Sequence, residues 1–466
     1  MAESKQRFSA EANKVYTYAD AATLLENIED LAKMVDHHLS HQVPRLSELD
    51  DYYLGNNKTI LEGQRRKEEH MSDHRSTHNH ARYVSQFIVG YLTGNPITVT
   101  HDKDAVQQVL TDINDLNDAD ALNSELTLDC SVYGRAYELI FRSQADKNRF
   151  TLLSPLETFV IYDDTVERLP IAGVRHRIQT HEGDEVQIVE LYTENKIFTY
   201  HVEGESKDYK LKSEKEHYFG DVPINEYQNN RFRQGDFENV LNLIDLYDAA
   251  QSDSANYMTD LNDAMLKIVG NVELDIEEAK AMKDANMILV TPSLDSEGRA
   301  GSADADYIYK QYDVAGSEAY KTRIENDIHK FTNTPNLNDE KAGQSSNSPI
   351  SGEAMKYKLF GLEQVRSIKE RFFKRSMMYR YRLVNSISAK AREIDDNTLN
   401  DIVIKFTPNL PKSTTETVEM FNSLGGELSE VTKLSLLPFI DDPQEELKRI
   451  EEERSKQRPS SNFMEN

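Results

Sequence analysis

The polar segment TNTPNLNDEKAGQSSNSP, residues 332–349, separates two strongly helical patterns in the stretch from Asp236 to Arg392. Pro335 and Pro349 cannot continue a helix, because proline lacks the backbone N–H and clashes with the preceding turn. A polar loop of this length inside a domain is usually either functional or disordered. The stretch therefore predicts a helix, a compact insert, a second helix, the loop and one long helix.

The first of these helices is acidic. Residues 236–266, DFENVLNLIDLYDAAQSDSANYMTDLNDAML, contain seven acids and no lysine or arginine. Steps of three or four place six polar residues in one stripe on a helix of about 45 Å: Asp245, Asp248, Ser252, Asn256, Asp260 and Asp263. A solvated helix face is one interpretation. Solvated helices normally interleave lysine with glutamate, so the unmixed sign favours a face that repels a negatively charged partner.

Changes in the apolar repeat and in the charge of the sequence predict a folded insert and then a long helix. Residues 267–316 read as a small α/β unit with strands at 272–276, 287–290 and 307–309, and residues 317–331 return to helix. Residues 351–392 predict a helix of roughly 60 Å. Its first forty residues contain ten lysines and arginines against three glutamates. Packing between the acidic and the basic helix, within or between subunits, is the simplest use of that complementarity.

Residues 1–235 predict one α+β domain. Apolar residues from Leu24 to Leu39 fall on one helical face, and Pro44 is expected to end that element. A second helix is predicted at Asn79–Leu92. Between Ala136 and Tyr218 the period becomes alternating, which predicts an antiparallel sheet on the helical base.

The C-terminal part begins with a predicted strand at Ile402–Phe406. Two amphipathic helices at 413–422 and 427–435 and a charged helix at 444–454 follow. The polar tail 456–466 is expected to be disordered. The fold class is therefore α+β and predominantly helical.

Composition limits the function classes. The chain has 466 residues and a formal charge of -27, with 81 acids against 54 lysines and arginines. That balance argues against a broad phosphate-neutralising surface, although a protein can still enclose DNA without gripping it. Cys130 is the single cysteine, so no internal disulfide is expected, and it is expected to be a buried apolar residue. Without a signal-like start or an apolar run of about 18 residues, a soluble intracellular protein is expected.

The sequence contains no motif that assigns catalysis. It lacks a P-loop, H-E-x-x-H, G-x-S-x-G and an EF-hand loop, so no catalytic residue, cofactor or enzyme class is assigned. Steps of four would place His70, His74 and His78 on one face if that segment were helical, which is a geometry a metal could use. No cysteine or paired carboxylate completes a ligand set, so no metal is assigned. A metal-dependent enzyme using the His70–His80 cluster stays an open alternative.

Eight short stretches occur in an order that resembles a known family. They are YLTGNPI at 91–97, YGRAYEL at 133–139, LSPLE at 153–157, IYDD at 161–164, FGDVPI at 219–224, YQNN at 227–230, LID at 243–245 and SDSAN at 252–256. Each is weak alone, but together they extend over much of the chain. The set resembles the portal proteins of tailed double-stranded-DNA bacteriophages, of the type found in long-tailed siphophages of Gram-positive hosts.

The resemblance implies a ring, typically a dodecamer, at one capsid vertex, with DNA passing through its axis. Its parts are called wing, stem, clip and crown. It implies the following division: wing 1–235, stem helices 236–266 and 317–331, clip 267–316, tunnel loop 332–350, long wing helix 351–392, wing strand and linker 393–411, crown helices 412–455, and disordered tail 456–466.

The resemblance also implies site residues. A like-charged channel wall would let DNA slide, and its acids would be Asp245, Asp248, Asp260 and Asp263. The tunnel-loop residues that would project toward DNA are Asn338, Asp339, Glu340, Lys341, Gln344, Ser345 and Asn347. Lys341 would be the one cation in the loop that could touch phosphate.

The partners implied are further copies of the chain, double-stranded DNA, the terminase motor, a head-tail connector or adaptor, and the major capsid and scaffolding proteins, with no membrane. The protein would be located in the virion at the portal vertex, and in the host cytoplasm during assembly. A capsid-associated scaffold or adaptor protein that forms no DNA channel is the other alternative.

Overall fold

The computed structural model describes most of residues 6–336 and the greater part of the long helix. The described ranges are 6–63, 72–181, 184–203, 208–260, 265–269, 304–308, 313–336, 357–394, 401–409, 429–434 and 446–450, with the single positions 277, 280 and 399.

Helices account for more of the described residues than strands do, which confirms the predicted α+β class. The helices are α1 Ala21–Glu26, α2 Ile28–His37, α3 Val43–Leu54, α4 Lys58–Leu61, α5 His80–Thr93, α6 Asp104–Leu116, α7 Ala119–Tyr133, α8 Leu241–Asp260, α9 Val314–Thr332, α10 Phe360–Lys390 and α11 Glu430–Leu434. The strands are β1 Tyr16–Tyr18, β2 Thr98–Thr100, β3 Arg135–Arg142, β4 Asn148–Leu153, β5 Thr158–Asp163, β6 Pro170–His181, β7 Asp184–Tyr192, β8 Lys196–Glu203, β9 Asp208–Glu216, β10 Ile224–Gln228, β11 Met265–Val269, β12 Asp304–Ile308 and β13 Val403–Lys405.

The strands form two larger sheets and two strand pairs. The sheet orders are β1-β5-β6-β7-β8-β9 and β10-β3-β4, and the pairs are β11-β12 and β13-β2. The alternating period predicted for 136–218 is confirmed by β3 to β9. One edge differs from the prediction, because Tyr16–Tyr18 adds a parallel strand beside Ile161–Asp163.

The first helical region continues through the proline that was expected to end it. After α2, residues His38–Gln42 form a π-helical turn that leads directly into α3. Pro44 lies in the first turn of α3. The π-helical turn directly before it changes the hydrogen-bond register of the preceding carbonyls, so the helix can accommodate a residue without a backbone N–H. The prediction that Pro44 ends the element was wrong.

The acidic helix is shorter than the sequence predicted. It begins with a 3₁₀ turn at Glu238–Val240 and continues as α8 to Asp260. Met265 and Leu266, which were assigned to the helix, lie instead in β11, which pairs antiparallel with β12. The strands predicted at 272–276 and 287–290 lie outside the described residues.

The long helix is confirmed from Phe360 to Lys390. Residues 351–356 lie outside the described range, as do 410–428 and 451–466. The predicted strand at Ile402–Phe406 is confirmed as β13, which pairs with β2. Within the described ranges, no helix combines the length and the apolar character needed to span a membrane.

Two of the hydrophobic cores hold α3 and α5 to α10 in place, while α1 and α2 pack on the six-stranded sheet. One unites α3, α5, α8, α9 and the start of α10 through buried residues such as Leu49, Ile88, Ile244, Ile328 and Leu362. The other lies between α6, α7, the three-stranded sheet and the later part of α10. Cys130 is buried in this second core as predicted, and burial raises the pKa of its thiol.

Candidate functional site

Helices α8 and α9 form an antiparallel pair whose connection carries β11 and β12. Lys321 Nζ donates to Gln251 Oε1 at 2.8 Å, and Asn239 Nδ2 donates to the Phe331 carbonyl at 3.1 Å. The residue numbers increase along one helix while those of its contacts on the other helix decrease, as expected for an antiparallel pair. The predicted helix and returning helix are present as Leu241–Asp260 and Val314–Thr332, and most of the insert lies outside the described residues.

The polar loop leaves this pair from a fixed point. Asn333 ends α9 in the left-handed conformation, with φ 55°, and the Thr334 N–H donates to the His329 carbonyl at 3.1 Å. Tyr83 on α5 donates its hydroxyl to the Pro335 carbonyl at 3.1 Å. The first residues of the loop are thus bonded to the helical base.

The start of α10 lies beside the point where the chain leaves α9. A methyl group added at Gly361, in the first turn of α10, would lie 3.2 Å from Asn333 Oδ1. The chain leaving α9 and the chain entering α10 are therefore neighbours. All the predicted loop residues from Asn338 to Asn347 lie outside the described residues.

Asp245, predicted to line a channel, is bonded within its own subunit. Its carboxylate accepts from Arg7 Nη1 at 2.7 Å, from Asn57 Nδ2 at 3.0 Å and from the Tyr52 hydroxyl. Burial and the hydrogen bond to Asp245 raise the pKa of Tyr52. Asp245 therefore joins the N-terminal segment and α3 to α8.

Asp248, the next acid of the stripe, is more deeply buried. Its side chain is 1% exposed, and it accepts from the His78 N–H at 2.8 Å and from Asn57 Nδ2 at 2.9 Å. A carboxylate surrounded in this way cannot lie on the open face of a channel wall. These contacts do not support the prediction that Asp245 and Asp248 line the channel. The side chain of Asp260 and all of Asp263 lie outside the described residues.

The stripe binds an extended backbone. Residues 72–79, here named the strap, run antiparallel to α8. The N–H groups of His74, Ser76 and His78 donate in turn to Asn256 Oδ1 at 2.5 Å, Ser252 Oγ at 2.9 Å and Asp248 Oδ1 at 2.8 Å. Two extended residues rise about 6.6 Å and four helical residues about 6 Å, so the donors and acceptors stay in step. The polar stripe is therefore a hydrogen-bonding ladder.

This arrangement changes the interpretation of the histidines. The strap is not helical, so the four-residue steps do not bring His74 and His78 to one helix face. His80 begins α5 and packs edge-on against Tyr247, and burial lowers its pKa to about 4. Among the described residues, no three His, Cys, Asp or Glu side chains are grouped so that they could hold a metal. His70 lies outside these residues.

The described ion pairs of the basic helix lie within the helix itself, with the α+β domain and with Asp236, and none reaches the polar stripe. Arg380 Nε lies 2.7 Å from Glu138 Oε1, with both side chains fully buried. Lys369 Nζ lies 2.7 Å from Asp236 Oδ1, at the start of the acidic stretch. Within the subunit, Lys369 and Asp236 form the one ion pair between the basic helix and the acidic stretch among the described residues, and pairing between subunits stays a prediction.

Three hydrogen-bond donors to the stripe were not predicted from the sequence. Arg7, Tyr52 and Asn57 lie 188 to 238 residues from Asp245 along the chain. Local period and spacing carry no information on such distant contacts. The absence of lysine and arginine from the stretch was the one available signal, because a buried acid must take its donors from elsewhere.

Comparisons with known proteins address the identity of the chain as a whole. The family model described as "Phage portal protein, SPP1 Gp6-like" matches residues 32–460. The portal protein of Bacillus phage SPP1 is 22% identical over 407 residues, which cover 84% of this chain and 78% of that protein. The family match covers nearly the whole chain, including the helix pair, the loop and the long helix. The chain therefore belongs to the SPP1 Gp6-like family of phage portal proteins.

Proposed function

We propose that the chain forms the ring-shaped DNA channel at one capsid vertex, through which double-stranded DNA is packaged and ejected. The observation that carries this proposal is the family match over residues 32–460. The described fold is compatible with it, because the antiparallel pair of α8 and α9 shares one core with the start of the long helix α10.

The division of the chain follows from the same proposal. Residues 1–235 would form most of the wing, α8 and α9 the stem, and residues 267–316 the clip. The loop 332–350 would project into the channel from the base of the stem, where its first residues are bonded to α5 through Tyr83. The crown would be formed by residues 412–455.

The channel wall is proposed in a revised form. Asp245 and Asp248 are removed from it, because their carboxylates are bonded inside the subunit. Asp260 and Asp263 remain the proposed stem acids, and a like-charged wall there would let DNA slide. Lys341 remains the loop cation proposed to meet phosphate.

The proposed partners follow from this role. Without a P-loop in the sequence, the chain would depend on a separate terminase motor to move DNA. It would also contact a head-tail connector and the major capsid and scaffolding proteins. The ring would be assembled in the host cytoplasm and would reside in the virion.

Electron microscopy of the negatively stained, purified chain tests the proposal. Rings with a central hole are expected. Solid particles or monomers at all concentrations would contradict it and would favour a scaffold or adaptor protein without a channel.

A further inference from the structure

A groove of about 810 Å³ lies between β10, the loop that precedes β6, and one side of α10. Five arginines line it, against two glutamates: Arg168, Arg231, Arg233, Arg375 and Arg382. We name it the arginine groove. A positive concavity is unusual on a chain with a formal charge of -27.

Part of the positive charge in the arginine groove is not compensated. Arg233 pairs in a bidentate fashion with Glu226, at 2.8 and 2.9 Å. Arg375, by contrast, donates to the neutral Gln228 at 3.1 Å. Arg168 and Arg231 are exposed and make no ion pair or side-chain hydrogen bond with residues in the described ranges.

Exposed apolar side chains border these charges. Val166 is fully exposed, and Leu169 and Met378 are 50% and 38% exposed. All three line the groove. Arginine beside apolar surface is typical of protein interfaces, where planar guanidinium groups pair with carboxylates around an apolar centre. The groove therefore fits an acidic protein surface better than a small anion.

Such a surface occurs on this same chain. Between Lys103 and Arg135 there are seven acids and no lysine or arginine. Asp112, Asp115 and Asp118 are exposed, the first two near the C-terminal end of α6 and the third in the turn between α6 and α7. Leu116 lies among them and is 43% exposed. We name this surface the acidic face.

The acids of the acidic face crowd one another. Asp115, Asp118 and Asp120 line a shared concavity of about 390 Å³. Burial and the neighbouring charges of Asp118 and Asp115 raise the pKa of Asp120. An incoming cation would relieve this repulsion.

The arginine groove and the acidic face lie on opposite flanks of α10. Tyr379 lines the groove and donates to Asp221 at 2.8 Å. Tyr381 donates to Asn114 on α6 at 2.8 Å. Two helical residues turn by about 200°, so these side chains point in nearly opposite directions. A head-to-tail contact that repeats around a ring requires two different, complementary surfaces on opposite sides of one subunit.

We propose that the arginine groove of each subunit receives the acidic face of the next copy of the chain. This inference rests on the proposed ring and specifies a contact between neighbouring subunits. Because the pairs lie on exposed surfaces, salt should weaken the contact.

Two charge-reversed variants of the full chain test the contact. Arg231→Asp with Arg375→Asp reverses the groove, and Asp112→Lys with Asp115→Lys reverses the acidic face. Each variant alone should need at least about tenfold more protein for half-maximal ring formation, because like charges then meet at every contact. An equimolar mixture should recover wild-type assembly, since alternating copies restore opposite charges at each contact.

The controls separate this inference from the proposed function. Arg371→Asp reverses an exposed charge of α10 that does not line the groove, and it should leave assembly unchanged. Circular dichroism checks that each variant is folded. Wild-type assembly of the groove variant would overturn the proposed contact and would assign the groove to a different partner. Failure of the folded variants to assemble when mixed would overturn it as well. If the wild-type chain forms no ring, the proposed function itself fails.

Discussion

Asp248 shows at the level of a single residue how an acidic stripe can be structural. Its carboxylate is buried and accepts N–H groups from the strap and from Asn57. Burying an ionised carboxylate costs free energy unless hydrogen-bond donors replace the water that it loses. Each of those donors gives up its own bond to water as well. The residue therefore fixes the strap and the α3–α4 connection on one side of α8.

Replacing Asp248 by alanine should destabilise the fold by about 2–4 kcal/mol, because two backbone or amide donors lose their acceptor and a cavity opens. Urea denaturation of the variant and the wild type measures this difference. Asp253→Ala is the matched control, since it removes an exposed acid of the same helix and should cost less than about 0.5 kcal/mol. Equal effects of the two substitutions would show that burial of Asp248 is not important for stability.

Asp129 gives a pH-dependent prediction. Burial, with the charges of Glu125 and Asp50, raises its pKa to about 7. The folded state then holds a proton that the unfolded state releases near pH 4, so stability falls as pH rises from about 4 to 7. Asp129→Asn cannot ionise and should escape this loss.

Urea denaturation at two pH values tests the effect. The stabilisation by Asp129→Asn should be roughly 2 kcal/mol larger at pH 8 than at pH 5. Asp164→Asn, at an exposed turn, should show the same small effect at both values. A pH-independent effect of Asp129→Asn would contradict the raised pKa.

The sequence predicted which residues share the stripe but not what they touch. The spacing of Asp245, Asp248, Ser252 and Asn256 placed them correctly on one face of α8. The interpretation as an open, repelling face was wrong, because their donors come from residues 7–78, far away in the chain. Helical period reports the face of a residue, whereas burial depends on tertiary contacts.

At the level of the element, the strap and α8 are joined by matching repeats. Every second strap residue meets every fourth helix residue, and three successive backbone donors find side-chain acceptors. A ladder of this kind satisfies an extended segment without a neighbouring strand. It also explains why small polar residues, Ser252 and Asn256, stand where an amphipathic helix would usually be apolar.

Ser76→Pro removes the central donor of the ladder. The flanking amides of His74 and His78 should then exchange hydrogen at least about tenfold faster, because local opening of the strap costs less. Hydrogen-exchange mass spectrometry of peptides covering 72–79 measures this. Thr77→Pro is the matched control, since the Thr77 N–H makes none of the three bonds. Similar exchange in both variants would contradict the ladder.

Elements were predicted best where the period was long and uninterrupted. The helices α5, α9 and α10 and the alternating strands from β3 to β9 follow directly from their patterns. The three-residue strand β1 and the continuation through Pro44 did not. The short edge strand β1 forms because it pairs with β5. Proline is compatible with a helix in its first turn. The local pattern of apolar residues indicates neither of these.

At the scale of the whole molecule, the loop 332–350 is expected to act only in the ring. Asn333, at the end of α9, lies beside Gly361 of α10, so a chain that is ten residues shorter can still join the two helices without moving them. Deleting residues 338–347 should therefore leave ring assembly intact and reduce DNA packaging at least about tenfold. Microscopy and a packaging assay measure the two effects. Loss of assembly would show that the loop is structural, and normal packaging would remove its proposed role.

The central claim is a closed ring of identical subunits. Native mass spectrometry of the purified chain tests it most directly, because a closed ring gives one discrete mass and open association gives a distribution. A single species of about twelve copies of the 53.4 kDa chain, roughly 640 kDa, is expected. A monomer, a dimer or a continuous ladder of masses at assembly concentrations would contradict the account.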